Sequence, residues 1–229
     1  MKWQPLSSLG VFAVLMTFSA TALAGTFRTI SIDDDYSDWV GVPVLDSDGG
    51  DNQGGPDIGD TQIANDNDNL YIHNTFPNGL ALGTFVALDV DSNVGTGFDV
   101  FSLGLIGSEA GWQNDFPFTQ DAANFNNGSG MSGDYFGSGA ALLTPFANAS
   151  DRELAISLSA VFNAGGAVFP DGDFTILIWT DLGVGPDGTF DGFNGDVSAP
   201  IAYTLAVPEP GSIAMALAGC CLLLGLRKK

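Results

Sequence analysis

The stretch Thr84-Phe85-Val86-Ala87-Leu88-Asp89 decides the fold class of this chain. Its first five residues carry no charge, include β-branched and aromatic side chains, and are followed at once by turn residues. The run is too short for a helix of ordinary length. Its lack of polar alternation predicts a strand that is buried on both faces.

Similar short segments recur on both sides of this strand. The segment 69–73 alternates, with Leu70 and Ile72 on one face, so His73 is predicted to point outward. No long stretch has helical period, and Gly, Asp and Asn turns separate the segments. The sequence therefore predicts an all-β domain, a β-sandwich or jelly roll. The other predicted strands are 27–32, 100–106, 153–159, 174–179 and 201–205.

The charge of the chain is strongly negative. It has 27 acidic and 6 basic residues, for a formal net charge of −21. Without the two end segments described below, 26 acidic residues remain beside two basic ones, Arg28 and Arg152. Nucleic acid is excluded as a partner because phosphate binding needs Lys and Arg. Of the 26 acids, 24 are Asp, which favours turns over helices and suits divalent cations.

The first 24 residues have the three parts of a secretory signal peptide. Lys2 gives a weakly positive start, Leu9–Phe18 is apolar, and small residues stand at Ala22 and Ala24. Signal peptidase is therefore predicted to cleave between Ala24 and Gly25. The alternative is an N-terminal membrane helix that is not cleaved.

The last 23 residues, 207–229, are predicted to form a sorting and anchoring segment. Val207-Pro208-Glu209-Pro210 is predicted to be rigid and extended, because each proline has a fixed φ and disfavours the helical conformation of the residue before it. The next sixteen residues, 211–226, carry no charge, and Arg227-Lys228-Lys229 ends the chain. This apolar run is shorter than the roughly 20 residues of a typical membrane span. A single membrane helix with its basic end in the cytoplasm leaves the preceding domain outside.

This order of motif, apolar helix and basic cluster resembles the PEP-CTERM sorting signal of Gram-negative bacteria. Pro208, Glu209 and Pro210 match its motif. The resemblance implies processing by an exosortase: an inner-membrane-anchored precursor, then release or transfer to the cell surface or the extracellular matrix. Cys220 and Cys221 both lie in this segment, so the predicted β domain, 25–206, has no disulfide.

An acidic loop follows the opening strand. Oxygen side chains alternate along Asp89-Val90-Asp91-Ser92-Asn93, and Asp99 lies shortly beyond. Hard carboxylate and amide oxygens of this kind predict a calcium site with the ligands Asp89, Asp91, Asn93 and Asp99. The loop departs from an EF-hand, and solvated turn residues are the alternative. Two further acidic groups are Asp57-Asp60-Asp66-Asp68 and Asp181-Asp187-Asp191-Asp196.

A second resemblance covers about residues 26–106. The segments Ile32-Asp33-Asp34-Asp35-Tyr36-Ser37-Asp38-Trp39, Ala64-Asn65-Asp66 and Asn69-Leu70-Tyr71-Ile72 are similar to the N-terminal half of family 9 carbohydrate-binding modules. The resemblance implies a β-sandwich that binds calcium and, in some members, sugar. The paired sugar-stacking Trp residues of that family have no counterpart here. Trp39 is expected in the core, and Trp112 is predicted to be exposed for stacking on a pyranose ring.

No catalytic signature stands out. His73 is the sole histidine, G-x-S-x-G is absent, and no carboxylate pair is distinguished among so many acids. The Gly-, Asn- and Ser-rich segment 107–139 is either a binding loop or an irregular excursion with an extra hairpin. We predict a non-enzymatic exported protein that binds extracellular polysaccharide and calcium. The alternatives are a structural matrix component without a defined ligand and, third, a polysaccharide hydrolase.

Overall fold

The computed structural model describes residues 23–52, 54–180 and 195–208. The predicted signal peptide as far as Ala22, the motif residues Glu209 and Pro210, and the predicted membrane helix lie outside these residues. In the described part of the chain, no helix is long and apolar enough to cross a membrane.

The described residues form strands and two short 3-10 helices, Tyr36–Trp39 and Val100–Ser102. The strands are β1 (Leu23–Ala24), β2 (Val44–Ser47), β3 (Asp60–Asn65), β4 (Asn69–Thr75), β5 (Thr84–Asp89), β6 (Ala110–Gln113), β7 (Phe116–Thr119), β8 (Met131–Ser132), β9 (Leu142–Thr144), β10 (Asp151–Ser157), β11 (Val161–Phe162), β12 (Asp173–Thr180) and β13 (Ile201–Thr204).

Two sheets dominate the fold. One has the strand order β1-β13-β12-β5-β6-β7, and the other has the order β2-β3-β4-β10-β9. Neighbouring strands are antiparallel except for β1, which pairs with β13 in parallel. Strands β8 and β11 form a small separate ribbon. The all-β prediction with two packed sheets is confirmed.

The main core lies between the sheets. Leu70 and Ile72 of the five-stranded sheet pack in one cluster with Val86, Ile176 and Ile178 of the six-stranded sheet. Each fully buried aliphatic side chain of this kind contributes about 1.5–3 kcal/mol to stability. Alternation along β4, β5 and β12 thus places these side chains on the inner faces, and their packing holds the two sheets face to face.

The outer faces of both sheets are also covered. Every residue of β5 is buried, because Phe85 and Ala87 point away from the main core into a second cluster with Phe118 and Trp179. The prediction that the run 84–88 is buried on both faces is confirmed. On the other sheet, the segment containing Ile30, Trp39 and Val42 covers Tyr71 and Ala155.

The strands predicted at 69–73, 153–159, 174–179 and 201–205 correspond to β4, β10, β12 and β13. Two predicted strands are wrong. Phe27 makes an isolated bridge to Asn65, and the run 100–106 begins with a 3-10 turn instead of a strand. Val100 and Ile106 are buried nevertheless, because they cover the outer face of the six-stranded sheet without pairing to it. The segment 107–139 contains an extra hairpin, β6–β7.

Candidate metal centre

Asp89 is the residue around which the acidic loop is organised. It ends β5 and is only 1% exposed. Its Oδ1 accepts a hydrogen bond from the backbone N–H of Asn93 at 3.0 Å, and its Oδ2 accepts one from that of Gly107 at 3.2 Å. These bonds hold the turn and the returning chain against the end of the strand.

Glu109 joins this site from the neighbouring strand. Antiparallel pairing places Leu88 opposite Ala110, so Glu109, one residue earlier, lies beside the start of the acidic loop. Its Oε2 accepts the backbone N–H of Val90 at 3.1 Å. Its Oε1 is buried and has no hydrogen-bond partner among the described residues, although the nearby Thr96 side chain interacts with the carboxylate. An unmet acceptor of this kind is costly unless a cation or a donor approaches it.

Asp91 completes the group from the exposed side of the loop. The hydroxyl of Thr96 donates to its two carboxylate oxygens at 3.0 and 3.1 Å. One oxygen each from Asp89, Asp91 and Glu109 lies within 4.8 Å of the others. Calcium–oxygen distances are about 2.3–2.6 Å, so three oxygens with this spacing can contact one ion.

Among the described residues, no Lys or Arg side chain forms an ion pair with this group. The contact of His73 with Asp151 at 3.2 Å lies elsewhere and is an ion pair only when His73 is protonated. Burial raises the pKa of Asp89, and the neighbouring Asp91 adds to the shift. Burial also raises the pKa of Glu109, with further contributions from Asp91 and Asp89. A bound divalent cation would reverse both shifts, because it favours the ionised forms.

The structure changes the predicted ligand set. Asp89 and Asp91 come together as predicted. Asn93 places its backbone N–H on both of them, and its side-chain Oδ1 accepts the N–H of Gly95 at 3.1 Å. Asp99 is not brought together with them: it lies outside the carboxylate group, and its Oδ1 accepts the N–H of Gly104 at 2.8 Å.

Sequence reasoning missed Glu109. One signal could have found it: it is one of two Glu among the 26 acids of the predicted domain. Its longer side chain can reach a loop from an adjacent strand, whereas the Asp residues act mostly within their own turns.

A second acidic group consists of Asp48, Asp51 and Asp196, again with oxygens within 4.8 Å of one another. Asp196 is 6% exposed, and its oxygens accept the N–H groups of Ile58 at 2.6 Å and Val197 at 2.9 Å. Burial raises its pKa to about 7, with Asp51 and Asp48 contributing. Asp196, which belongs to the second of the two further acidic groups in the sequence, thus lies beside Asp48 and Asp51 of the β2–β3 connection. Its predicted neighbours Asp181, Asp187 and Asp191 lie outside the described residues.

Trp112 does not have the predicted stacking role. It is fully buried in the core between the sheets, and its indole Nε1 donates to the carbonyl of Gly139 at 2.9 Å. The reason is strand alternation: Trp112 pairs with Val86 of β5 and therefore points to the same inner face. No pyranose ring can reach it in this fold.

His73 is not an exposed residue either. It is 5% exposed and lies on the outer face of β4, but the Trp39 ring stacks on it at a centroid distance of 5.3 Å. Its ring nitrogens contact Gln62 Oε1 at 2.8 Å and Asp151 Oδ1 at 3.2 Å. Burial lowers the pKa of His73, although Asp151 opposes the shift. The prediction that Trp39 packs in the core is confirmed, since it is 2% exposed.

Comparison with protein-family models, with curated proteins and with solved structures finds no match to this chain.

Proposed function

We propose that this chain is an exported, non-enzymatic β-sandwich protein that binds calcium at the Asp89–Asp91–Glu109 group and contacts extracellular polysaccharide. The observation that carries the calcium part is the spacing of these three carboxylates. One oxygen of each lies within 4.8 Å of the others. Glu109 also has a buried oxygen, Oε1, that lacks a hydrogen-bond partner among the described residues.

The chemistry of the donors favours calcium over other common divalent ions. All three side chains offer hard carboxylate oxygens, whereas zinc prefers His nitrogen and Cys sulfur. Loops that tolerate irregular geometry suit calcium, because it accepts six to eight oxygens in a flexible arrangement. Magnesium requires a nearly ideal octahedron and usually keeps several waters.

Calcium titration of the purified protein tests this part of the proposal. We expect heat of binding with a Kd in the range of about 0.1–1 mM, which is typical of extracellular calcium modules. Thermal unfolding should shift upward in calcium, because a ligand that binds the native state stabilises it by mass action. Absence of both effects at 10 mM calcium would contradict it.

Support for export comes from the two ends of the sequence. The signal-peptidase pattern at Ala22, Ala24 and Gly25 directs the chain across the inner membrane, and Pro208-Glu209-Pro210 with the apolar and basic tail directs exosortase processing. Mass spectrometry of the protein recovered from cells tests both steps. We expect a mature N-terminus at Gly25 and loss of the tail. An intact tail on surface-located protein would contradict the sorting role.

A purely structural matrix role is the second candidate. Three exposed aromatic side chains favour it, because such residues can mediate self-association: Phe116, Phe136 and Phe146 are 51%, 65% and 62% exposed. Concentration-dependent assembly in sedimentation velocity, combined with no retardation by any polysaccharide, would select this role over glycan binding.

A further inference from the structure

An open cleft of about 480 Å³ lies where three connections meet at one end of the five-stranded sheet. The turn between β3 and β4 forms one wall, and the end of β10 with the following residues forms the floor. The connection between β8 and β9 supplies the opposite wall through Asp134 and Tyr135. The volume falls within the range of small-molecule sites, about 300–1,000 Å³. None of its lining residues belongs to either acidic group.

The walls of the cleft are densely polar. Hydroxyl, amide and carboxylate groups line it, together with one aliphatic side chain, that of Leu158. The polar groups other than the tyrosine belong to Asn67, Asp68, Asn69, Asp134, Ser157 and Ser159. Together they offer both donors and acceptors, which is what a polyhydroxylated ligand requires.

The floor and the first wall are held rigidly. The backbone N–H of Leu158 donates to the carbonyl of Asp68 at 2.8 Å and ties β10 to the turn. Asp66 fixes the turn itself, because its Oδ1 accepts the N–H groups of Asp68 at 2.8 Å and Asn69 at 2.9 Å. Binding groups held in this way need little ordering when a ligand arrives.

The second wall is formed by Asp134 and Tyr135. Asp134 Oδ1 accepts the N–H of Ser138 at 2.6 Å, and its Oδ2 is buried without a hydrogen-bond partner among the described residues, so this carboxylate contributes negative charge to the wall while its oxygens face the protein. The neighbouring Tyr135 is 50% exposed, so much of its ring is open to solvent at the cleft. An exposed aromatic face beside polar groups suits a ring that has an apolar C–H face and hydroxyl groups at its edge.

The charge of the cleft restricts which sugars fit it. Asp68 and Asp134 line it, Asp66 lies close behind, and its lining contains no Lys or Arg. Carboxylated or sulfated polymers would be repelled by this wall. Neutral hydroxyl groups can instead donate to the exposed carboxylate of Asp68, and such charge-assisted hydrogen bonds are strong.

We propose that this cleft is the polysaccharide site of the protein and that it takes a segment of neutral glycan, with Tyr135 stacking on a sugar ring. The inference rests on the proposed function, because it names the site and the ligand class for glycan contact. The exposed Asp68 accepts hydrogen bonds from the sugar hydroxyls, and the serines and asparagines of the floor and wall complete the polar contacts.

Affinity electrophoresis of the full chain tests the proposal. The gels contain neutral polymers (dextran, mixed-linkage β-glucan and galactomannan) or anionic ones (alginate and polygalacturonate). We expect retardation in at least one neutral gel and none in the anionic gels. Tyr135→Ala should weaken binding to that polymer by at least about tenfold, because the stacking surface is lost. Tyr135→Phe should keep most of the affinity.

Phe136→Ala is the matched control, since Phe136 is the adjacent exposed aromatic residue and does not line the cleft. It should bind like the native chain, and all variants should unfold at similar temperatures. If the native chain binds but Tyr135→Ala binds equally well, the cleft assignment is overturned while glycan binding stands. Retardation by the anionic polymers overturns the ligand class. If no polymer retards the native chain, the glycan part of the proposed function fails together with this inference.

Discussion

The buried carboxylate of Glu153 accepts the indole N–H of Trp39 at 3.1 Å, between residues 114 positions apart in the chain. Its other oxygen accepts the backbone N–H groups of Asp33 at 2.7 Å and Asp34 at 2.8 Å. Asp34, in this turn, has a φ of 69°, a left-handed conformation that is uncommon outside glycine. One fully buried side chain of β10 thus holds the N-terminal segment over the outer face of the five-stranded sheet.

We expect Glu153→Gln to destabilise the protein by about 2 kcal/mol or more. Glutamine keeps the shape but replaces one acceptor oxygen by an NH₂ group, which faces an N–H donor that it cannot satisfy. Urea unfolding followed by tryptophan fluorescence measures the loss. The exposed Asp171 supplies the control, since Asp171→Asn should change stability by less than about 0.5 kcal/mol. An equally small effect of Glu153→Gln would show that the buried carboxylate does not hold the segment.

The sequence predicted the strand that contains Glu153 but not the burial of that residue. Alternation along 153–159 distinguishes two faces, and it cannot show that a separate segment covers the second one. His73 lies on the outer face of β4, as alternation predicts, but the same covering segment buries it. The cover is a tertiary contact made by Trp39 and its neighbours, and no local pattern in β4 or β10 encodes it.

In the candidate sites too, the sequence predicts contacts within one turn but not contacts between distant segments. Asp89 and Asp91 are near in sequence, so their turn could be predicted from residue types alone. Glu109 and Tyr135 reach their sites only through strand pairing and loop packing. For Trp112, the sequence suggested exposure because the surrounding segment is rich in Gly and Asn. Its place on an inner strand decided otherwise.

Calcium affinity distinguishes two ligand sets: the one grouped in the structure, which includes Glu109, and the one predicted from sequence, which includes Asp99. Glu109→Gln should raise the Kd for calcium by at least about tenfold, because one of three charged ligands becomes neutral. Asp99→Asn should leave the Kd within about twofold, since Asp99 only caps its own turn at Gly104. Calorimetric titration of both variants measures this. Loss of binding in Asp99→Asn with retention in Glu109→Gln would restore the original set.

Gly111 is required for the packing of the β6–β7 hairpin. A Cβ at this position would lie 2.5 Å from Cζ of Phe118, and Phe118 is fully buried against Phe85. Gly111→Ala should therefore destabilise the protein by about 1–3 kcal/mol, as other overpacking substitutions do. Chemical unfolding measures the change. In the double variant Gly111→Ala with Phe118→Leu, the two losses should be less than additive, because the smaller side chain makes room. Strict additivity would show that the two positions do not clash.

Asp196 should make the stability of the calcium-free protein fall as the pH rises from about 4 to about 7. Burial raises the pKa of Asp196 to about 7, whereas an aspartate in the unfolded chain titrates near 3.9. The native state therefore binds this proton more tightly than the unfolded state does. The stabilisation that this proton gives the native state is complete below pH 4 and decreases up to about pH 7. Above that pH it is lost, and the stability no longer changes with this group.

The pKa shift of Asp196 corresponds to a loss of at most about 4 kcal/mol in the free energy of unfolding between pH 4 and pH 7. Urea unfolding in chelator at half-unit steps of pH measures the fall. In Asp196→Asn the fall should be much smaller. The raised pKa values of Asp89 and Glu109 leave a slope of the same sign, whereas the lowered pKa of His73 adds stability as the pH rises toward 6.5 and opposes that slope. If Asp196→Asn and the native chain show the same slope between pH 4 and pH 7, the buried Asp196 does not take up a proton in that range.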